Sequence, residues 1–280
     1  MPAAFARPES LASPDQLTEN ISRSGVRIVD CRYRVDGTAR QLHAAAHIPG
    51  AVFLDWAQDL IDPDDPVAFQ LAGPEAFAAA MAAAGIGDGA TAVLYDDTAS
   101  LYAARVWWSL RCYGFDGVRI LDGGWAAWTA SGRPTASGAH APEAAIFTPR
   151  SVPRLRLLSS DVRALLGSRE VDLVDTRGPA EYLGQEGNAR RLGHIPGAIN
   201  VPGGLLTVPG TQVFHSPDVL GRLFIQAGVQ RGRRIVLYDA TGIGAARAAF
   251  VLALLGYEDV ALYDGGWADW GNRLDLPIDR

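Results

Sequence analysis

The side chains best suited to chemistry in this chain lie in a short loop, residues 239–244 (DATGIG), between a predicted strand and a predicted helix. The strand is expected to end at Tyr238 and the helix to begin at Ala245. The two glycines of the loop let its backbone turn sharply through positive φ. Successive N–H groups then point into one concavity at a helix N-terminus, which attracts anions. The predicted anion-binding residues are Ala240, Thr241, Gly242, Ile243 and Gly244.

The first residue of this loop decides which chemistry it can carry. A cysteine there would have a lowered pKa and be a ready thiolate, but position 239 is an aspartate. The only two cysteines, Cys31 and Cys112, form neither a disulfide framework nor a metal-binding pattern. Neither lies in a glycine loop, and Cys112 falls on a predicted helix where a small buried residue is expected. Both are interpreted as structural.

Two histidines stand in matching contexts, since His47 and His194 each precede an Ile-Pro-Gly sequence. His43 and His47 are four residues apart, but Pro49 would end any helix that displayed them as a metal-binding pair. The favoured interpretation is a hydrogen-bonded structural histidine, and no metal is predicted.

Composition excludes several classes of protein. The 280 residues carry 25 basic and 31 acidic side chains, a net charge of −6 that argues against nucleic-acid binding. Every basic residue other than histidine is arginine, so the chain has no lysine for a Schiff base or a Walker A motif. No apolar run is long enough to span a bilayer, and the first residues lack the core of a signal peptide. We expect a cytoplasmic, cofactor-free protein.

The chain repeats itself once. Five short blocks recur in the same order with slowly drifting offsets, which predicts two duplicated domains. The pairs are 30–32 with 175–177, 47–51 with 194–198, 93–96 with 236–239, 103–105 with 245–247, and 122–125 with 264–267. Residues 134–153 are rich in Pro, Ala, Ser and Gly. We therefore predict an N-terminal domain at 1–135, a linker at 136–156 and a C-terminal domain at 157–280.

Each copy alternates between strand and helix patterns. Strands are predicted at 26–29, 92–95, 118–121, 234–238 and 260–263, and helices at 74–85, 103–113, from 217, and at 245–255. Such alternation predicts an α/β fold in which each domain has a mainly parallel sheet with helices on both faces.

These blocks resemble the signature of the rhodanese family. Asp-x-Arg, His-Ile-Pro-Gly-Ala, Val-Leu-Tyr before the loop, and Asp-Gly-Gly-Trp occur in that order, twice. The two-domain arrangement is similar to thiosulfate and 3-mercaptopyruvate sulfurtransferases. The resemblance implies a silent first domain, here with Asp96, and a second domain whose six-residue loop starts with a persulfide-forming cysteine. Phosphatases of this fold have a longer loop.

Asp239 stands where the resemblance implies the catalytic cysteine. Three interpretations stay open. A carboxylate pointing into the N–H concavity would fill it permanently, as Asp96 would in the first domain; this is the favoured interpretation. An aspartate nucleophile would need a metal or a basic residue nearby, which the loop lacks. The third is an ancestral or native cysteine at 239 that was replaced.

The resemblance also implies substrate-binding and relay residues. Arg177, Arg190 and Arg191 are candidates to hold a substrate anion. For Arg177, and for Arg247 on the following helix, the alternative is a structural ion pair; for Arg190 and Arg191 it is a solvated loop. A proton relay proposed for mercaptopyruvate enzymes would match Asp36, His47 and Thr241.

The leading hypothesis is therefore a rhodanese homologue unable to transfer sulfur as a persulfide, kept as a binding, regulatory or scaffold module. The alternative is a thiosulfate or 3-mercaptopyruvate sulfurtransferase that passes sulfur to cyanide or a thiol. A small sulfur-containing anion, or another small anion, is the expected ligand. The protein partner and the oligomeric state are left open.

Overall fold

The first domain is built on a five-stranded parallel sheet. The computed structural model describes residues 4–138, 140 and 142–280. The strands are β1 (Leu11–Ala12), β2 (Val26–Asp30), β3 (Val52–Phe53), β4 (Thr91–Tyr95) and β5 (Val118–Leu121). They lie in the order β1-β5-β4-β2-β3, and all neighbours are parallel.

The second domain repeats this sheet. Its strands are β6 (Arg156–Leu157), β7 (Val171–Asp175), β8 (Ile199–Asn200), β9 (Arg234–Tyr238) and β10 (Val260–Tyr263). The order β6-β10-β9-β7-β8 is the same as in the first domain, again with parallel pairing throughout. The duplication seen in the sequence is thus a duplication of topology.

Helices connect the strands. In the first domain they are α1 (Pro14–Asn20), α2 (Ala39–Ala45), α3 (Trp56–Asp59), α4 (Pro74–Ala83), α5 (Leu101–Cys112) and α6 (Gly124–Ala130). In the second they are α7 (Ser159–Leu165), α8 (Pro179–Tyr182), α9 (Pro217–Ala227), α10 (Ile243–Leu254) and α11 (Gly266–Trp270). Short 3-10 helices occur at Pro8–Ser10, Pro153–Leu155 and Gly203–Leu206.

Alternate residues of the central strands enter different cores. In the first domain Ile28 and Val93 belong to an outer core, whereas Val29 and Leu94 face a larger inner core. Side chains in a strand alternate between faces, so apolar residues at consecutive positions require cover on both sides of the sheet. The predicted α/β fold of two tandem parallel-sheet domains is confirmed.

The inner core is shared by the two domains. Leu94 of the first sheet and Leu237 of the second belong to one continuous apolar cluster. The helices α5 and α10 pack against each other within it, and Trp107 meets Phe250 edge-on with ring centroids 5.2 Å apart. The domains are therefore joined by a buried hydrophobic interface as well as by the chain.

A buried ion pair crosses this interface. Arg105 Nη1 on α5 donates to Asp264 Oδ1, just after β10, at 2.6 Å, and both side chains are buried. Asp264 also accepts from Arg156 Nε at 2.9 Å and from the Leu71 N–H at 2.9 Å. The aspartate of the second Asp-Gly-Gly-Trp block is thus fully hydrogen-bonded by groups from three separate segments.

The predicted strands match those observed to within one residue, but two helices begin earlier than predicted. α10 begins at Ile243 rather than Ala245, and α5 begins at Leu101 rather than Ala103. In both cases an aspartate before the helix accepts N–H groups of the first turn, which extends the helix toward the loop. The two-residue edge strands β1, β3, β6 and β8 were not predicted, because two residues show no periodicity. The central strand β7 was not among the predicted strands either, although its counterpart β2 was.

The segment after α6 runs along the first domain. Ala136 forms a bridge with His47, and Asp88 donates its N–H to Ile146 O at 2.8 Å. The boundaries at 135 and 157 stay a prediction. Among the described residues, no helix has the length and apolarity needed to cross a membrane.

We expect the interdomain ion pair to stabilise the fold. Arg105→Met keeps much of the side-chain volume but leaves the Asp264 carboxylate with one cation fewer. The free energy of unfolding in urea should fall by about 3 kcal/mol, the low end for breaking a buried pair, because Arg156 still contacts Asp264. The control is Arg163→Met, which removes the exposed contact with Asp275 and should cost less than about 1 kcal/mol. Equal effects would contradict this role for Arg105.

Candidate functional site at the 239–244 loop

The repeated blocks of the second domain meet at the carboxyl ends of its strands. Asp175 ends β7, and its carboxylate accepts Arg177 Nε at 3.0 Å and Nη2 at 2.5 Å. The Arg177 guanidinium lies over the Trp267 ring, 4.6 Å from its centroid, and also donates to Gly193 O at 2.8 Å. The residue after Gly193 is His194, so one arginine links the Asp-x-Arg, Asp-Gly-Gly-Trp and His-Ile-Pro-Gly-Ala blocks.

The remaining blocks join the same network. The Tyr238 hydroxyl at the end of β9 accepts the Ile195 N–H at 3.0 Å. One residue later, the Asp239 carbonyl accepts the Trp267 N–H at 2.8 Å. These bonds determine where the loop leaves the sheet and therefore where the Asp239 side chain begins.

The first domain has the same network. Arg32 pairs with Asp30 through Nη2 at 2.6 Å, donates to Ala46 O at 2.7 Å, and lies 4.7 Å from the Trp125 ring centroid. His43 adds a contact that the second domain lacks, with Nδ1 at 2.8 Å from Asp30 Oδ2. Burial alone would raise the pKa of Asp30, but the contacts with His43 and Arg32 lower it below its usual value.

The 239–244 loop forms the predicted concavity, and the Asp239 carboxylate occupies it. Three backbone N–H groups donate to this side chain: Thr241 at 3.2 Å and Gly242 at 2.5 Å to Oδ1, and Gly244 at 2.7 Å to Oδ2. Gly242 has φ +79°. Gly244 does not have positive φ but lies in α10, which corrects the expectation that both glycines curl the loop. It permits close approach instead, because a Cβ there would lie 2.8 Å from Asp239 Oδ2.

Asp96 uses the same arrangement in the first domain. Its carboxylate accepts four N–H groups: Thr98 at 2.8 Å, Ser100 at 3.0 Å, Tyr102 at 2.8 Å and Ala103 at 2.9 Å. Asp96 is 0% exposed, whereas Asp239 is partly exposed. Burial raises the pKa of both carboxyl groups, and the N–H donors oppose that rise. In both loops, an aspartate side chain thus accepts hydrogen bonds from backbone N–H groups that would otherwise be unpaired at the start of a helix.

The three arginines predicted to bind substrate do not converge on the loop. Arg177 forms the buried ion pair with Asp175 that was the structural alternative. Arg191 donates to backbone carbonyls at the end of the chain, Leu276 O at 2.7 Å and Trp270 O at 3.0 Å. Arg190 is exposed, and its backbone N–H donates to Asn272 Oδ1 at 2.9 Å.

Among the residues that the structure describes, Arg247 does not form the structural ion pair that was its alternative interpretation. Its guanidinium donates to Gly203 O at 2.8 Å and to Ala99 O of the first domain at 3.3 Å. Burial lowers the pKa of this arginine, and its contacts are carbonyls rather than carboxylates. It therefore forms a further hydrogen-bonded link between the domains.

The three residues of the candidate proton relay have separate hydrogen-bond partners. Asp36 is exposed and accepts the Thr38 hydroxyl at 2.7 Å. His47 is buried, stacks on His43 at 4.1 Å and places Nδ1 2.7 Å from His43 O. Thr241 lies in the second-domain loop. No hydrogen bond joins any two of these three side chains within the part of the chain that the structure describes.

The His-Ile-Pro-Gly-Ala histidines make structural contacts. His194 places Nδ1 2.8 Å from Tyr182 O and stacks on the Tyr182 ring at 3.8 Å. Both His47 and His194 also form backbone bridges, to Ala136 and Asp279 respectively. Across the described residues, 4–138, 140 and 142–280, no cluster of three or more His, Cys, Asp or Glu side chains could hold a metal.

A small cavity of about 160 Å³ opens beside the loop. Its walls include Thr241 and Trp267, together with the amides of Asn188 and Asn272. Glu181 is the charged residue on these walls, and none of the three candidate arginines lines them. A small anion entering the cavity would therefore meet a carboxylate rather than a guanidinium.

Sequence reasoning missed that Arg105 of the first domain contacts the 239–244 loop. Arg105 Nη1 lies 3.0 Å from where a Cβ on Gly242 would stand and is 3.4 Å from Gly242 O. Arg105 and Asp264 both belong to the repeated blocks. Nothing in the sequence paired them, because they are far apart along the chain and belong to different domains.

Two parallel-sheet domains, each with a carboxylate-filled loop before a helix, define a class of tandem α/β protein with paired loop sites. The sequence model of the rhodanese-like domain matches residues 13–131 and 158–273. The chain therefore belongs to the rhodanese family and carries two copies of its domain.

Full-length relatives include sulfur-transfer proteins. The chain is 35% identical over 278 residues to the 3-mercaptopyruvate sulfurtransferase of Escherichia coli, covering 95% of this chain and 96% of the relative. It is 35% identical over 289 residues to the sulfur carrier protein TtuD of Thermus thermophilus, with 98% of each chain covered. The crystal structure of the Escherichia coli 3-mercaptopyruvate enzyme SseA superposes with a TM-score of 0.85 and 32% identity, over 92% of this chain and 98% of that one.

The two thiols of the chain are shielded. Cys31 is 0% exposed and Cys112 is 5% exposed. Burial raises the pKa of both thiols well above the ordinary value. Since the thiolate is the reactive form, neither is expected to act as a nucleophile in the folded protein.

We therefore expect neither cysteine to react with a thiol reagent such as DTNB in the native state, and both to react after denaturation in guanidinium. Time courses at neutral pH with and without denaturant measure this directly. The Cys31→Ala and Cys112→Ala variants identify which thiol is responsible for any signal. Rapid modification of either thiol in the folded protein would contradict the shielding argument.

Proposed function

We propose that this protein is a rhodanese homologue that does not transfer sulfur as a persulfide and acts as a binding or regulatory module. The observation that carries the proposal is the Asp239 carboxylate, held by three N–H groups where the resemblance implies a cysteine. Asp96 fills the corresponding loop of the first domain in the same way.

The chemistry of the side chain supports this proposal. Persulfide transfer requires a thiolate that attacks sulfur and forms an S–S bond. A carboxylate cannot form that bond. Cys31 and Cys112 do not replace the missing nucleophile, because both are buried and their thiols have raised pKa values.

The surroundings of the loop point the same way. An external anion would compete with the tethered Asp239 carboxylate for the same N–H groups. The neighbouring cavity offers Glu181 rather than an arginine. The small sulfur-containing anion expected as a ligand therefore stays a proposal, and binding at this loop would require displacement of the carboxylate.

The family relationship supplies the alternative, because relatives at about one third identity are named as sulfurtransferases. We expect the purified protein to form thiocyanate from cyanide and either thiosulfate or 3-mercaptopyruvate no faster than a protein-free control. The Escherichia coli relative serves as the positive control. Turnover clearly above background would overturn the proposal in favour of a sulfurtransferase.

A second experiment asks whether the loop still supports sulfur chemistry. In Asp239→Cys the new sulfur would lie beside the N–H groups of Thr241, Gly242 and Gly244, which stabilise a thiolate. We expect this variant to react rapidly with DTNB and, after donor treatment, to gain one sulfur atom, about 32 Da, as a persulfide.

Asp239→Ser is the matched control, since serine has a similar size but carries no sulfur. It should remain at background in both the mass and the thiocyanate measurements. If Asp239→Cys has a reactive thiol but gains no sulfur, the surrounding pocket as well as residue 239 departs from a sulfurtransferase.

A further inference from the structure

A second cavity lies between the domains, separate from both loops. It has a volume of about 320 Å³ and is bounded by the N-terminal segment, α5, the Pro153–Leu155 turn, α10 and the start of β10. The 96 and 239 loops precede the N-termini of α5 and α10, whereas this cavity includes Arg111 and Ala253 near the opposite ends of these helices. Its volume lies within the range of small-molecule sites.

The cavity walls include three aromatic residues. These are Trp107, Trp108 and Tyr257, and α10 contributes the small side chains Ala249 and Ala253. Arg105 lies over the Trp108 ring and Arg231 over the Tyr257 ring, 4.5 Å and 4.7 Å from the centroids, so a ligand would use the remaining faces and edges of the aromatic residues. Planar apolar groups pack favourably on such surfaces in offset or edge-on geometry.

The same walls carry several basic residues. Arg7, Arg111 and Arg154 line the cavity, and Glu258 is the acidic residue among its walls. Arg111 is paired with Asp116, whose side chain is 79% exposed. Within the described part of the chain, the guanidinium groups of Arg7 and Arg154 make no ion pair. A protein with a net charge of −6 thus gathers three cations around one cavity.

We propose that this interdomain cavity binds a small aromatic carboxylate, with the ring against Trp107 and Trp108 and the carboxylate toward Arg7 and Arg154. Guanidinium groups bind carboxylates through paired N–H donors. The aromatic wall and the basic rim together favour this class over a neutral aromatic or a purely inorganic anion. The proposal is independent of the chemistry at Asp239.

The test uses the full-length protein and 2-naphthoate, with 2-naphthamide as the uncharged analogue and inorganic phosphate as the anion without a ring. Isothermal titration calorimetry and tryptophan fluorescence report binding. We expect saturable binding of naphthoate that weakens with added salt, because exposed charges are screened. Naphthamide and phosphate should bind at least roughly tenfold more weakly, the loss expected for a charged hydrogen bond.

Three variants locate the site. Arg7→Ala combined with Arg154→Ala should remove the preference for naphthoate over naphthamide. Ala253→Leu should fill the cavity and weaken both aromatic ligands while leaving the circular dichroism spectrum unchanged. Arg169→Ala, an exposed arginine elsewhere, is the matched control and should bind naphthoate like the parent protein.

Several outcomes would overturn the proposal. These are no binding of naphthoate up to its solubility limit, equal affinity for the amide and the acid, or unchanged binding in the folded Ala253→Leu variant. An equal loss of affinity in Arg169→Ala and in the double variant would also do so, since it would reflect net charge rather than this cavity.

Discussion

The buried pair of an aspartate with the arginine two residues later is the interaction on which each domain depends. In the second domain Arg177 bonds to Asp175 at the end of β7, lies on Trp267 and holds the carbonyl before His194. The free-energy cost of removing a buried ion pair from water is offset only when its polar atoms are hydrogen-bonded. The Gly193 carbonyl provides such a contact to the Arg177 guanidinium, which also lies over the Trp267 ring. These partners lie in or next to the repeated blocks. The repeated residues therefore form the hydrogen-bond network that holds each domain together.

That network positions the loop without prescribing its chemistry. The Tyr238 hydroxyl and the Asp239 carbonyl are hydrogen-bonded to neighbouring segments, and the Asp239 side chain faces the N-terminus of α10. A carboxylate there satisfies N–H groups that a helix start otherwise leaves free. The same residue thus stabilises the fold and occupies the place where a ligand or nucleophile would act.

The interface between the domains adds a different constraint. Both sheets contribute to one inner core, and Arg105 carries a charge across it to Asp264. Arg105 also approaches Gly242, so the second-domain loop rests partly on the first domain. The duplication therefore produced two domains that share a core and whose loop sites are not independent. The interdomain cavity is lined by Trp107 and Trp108 of α5 and by Ala249 and Ala253 of α10.

The sequence by itself determined the α/β class, the duplication, the family, the main strands and the aspartate that begins the loop. These follow from apolar periodicity and from short motifs, which are local properties of the chain. The contacts of the arginines were decided only by tertiary structure: Arg177 and Arg191 are hydrogen-bonded to groups that come together on folding, and Arg105 meets Asp264 across two domains. A guanidinium reaches several ångströms from its backbone and takes whichever acceptors folding provides, so its partner cannot be read from its position in the chain.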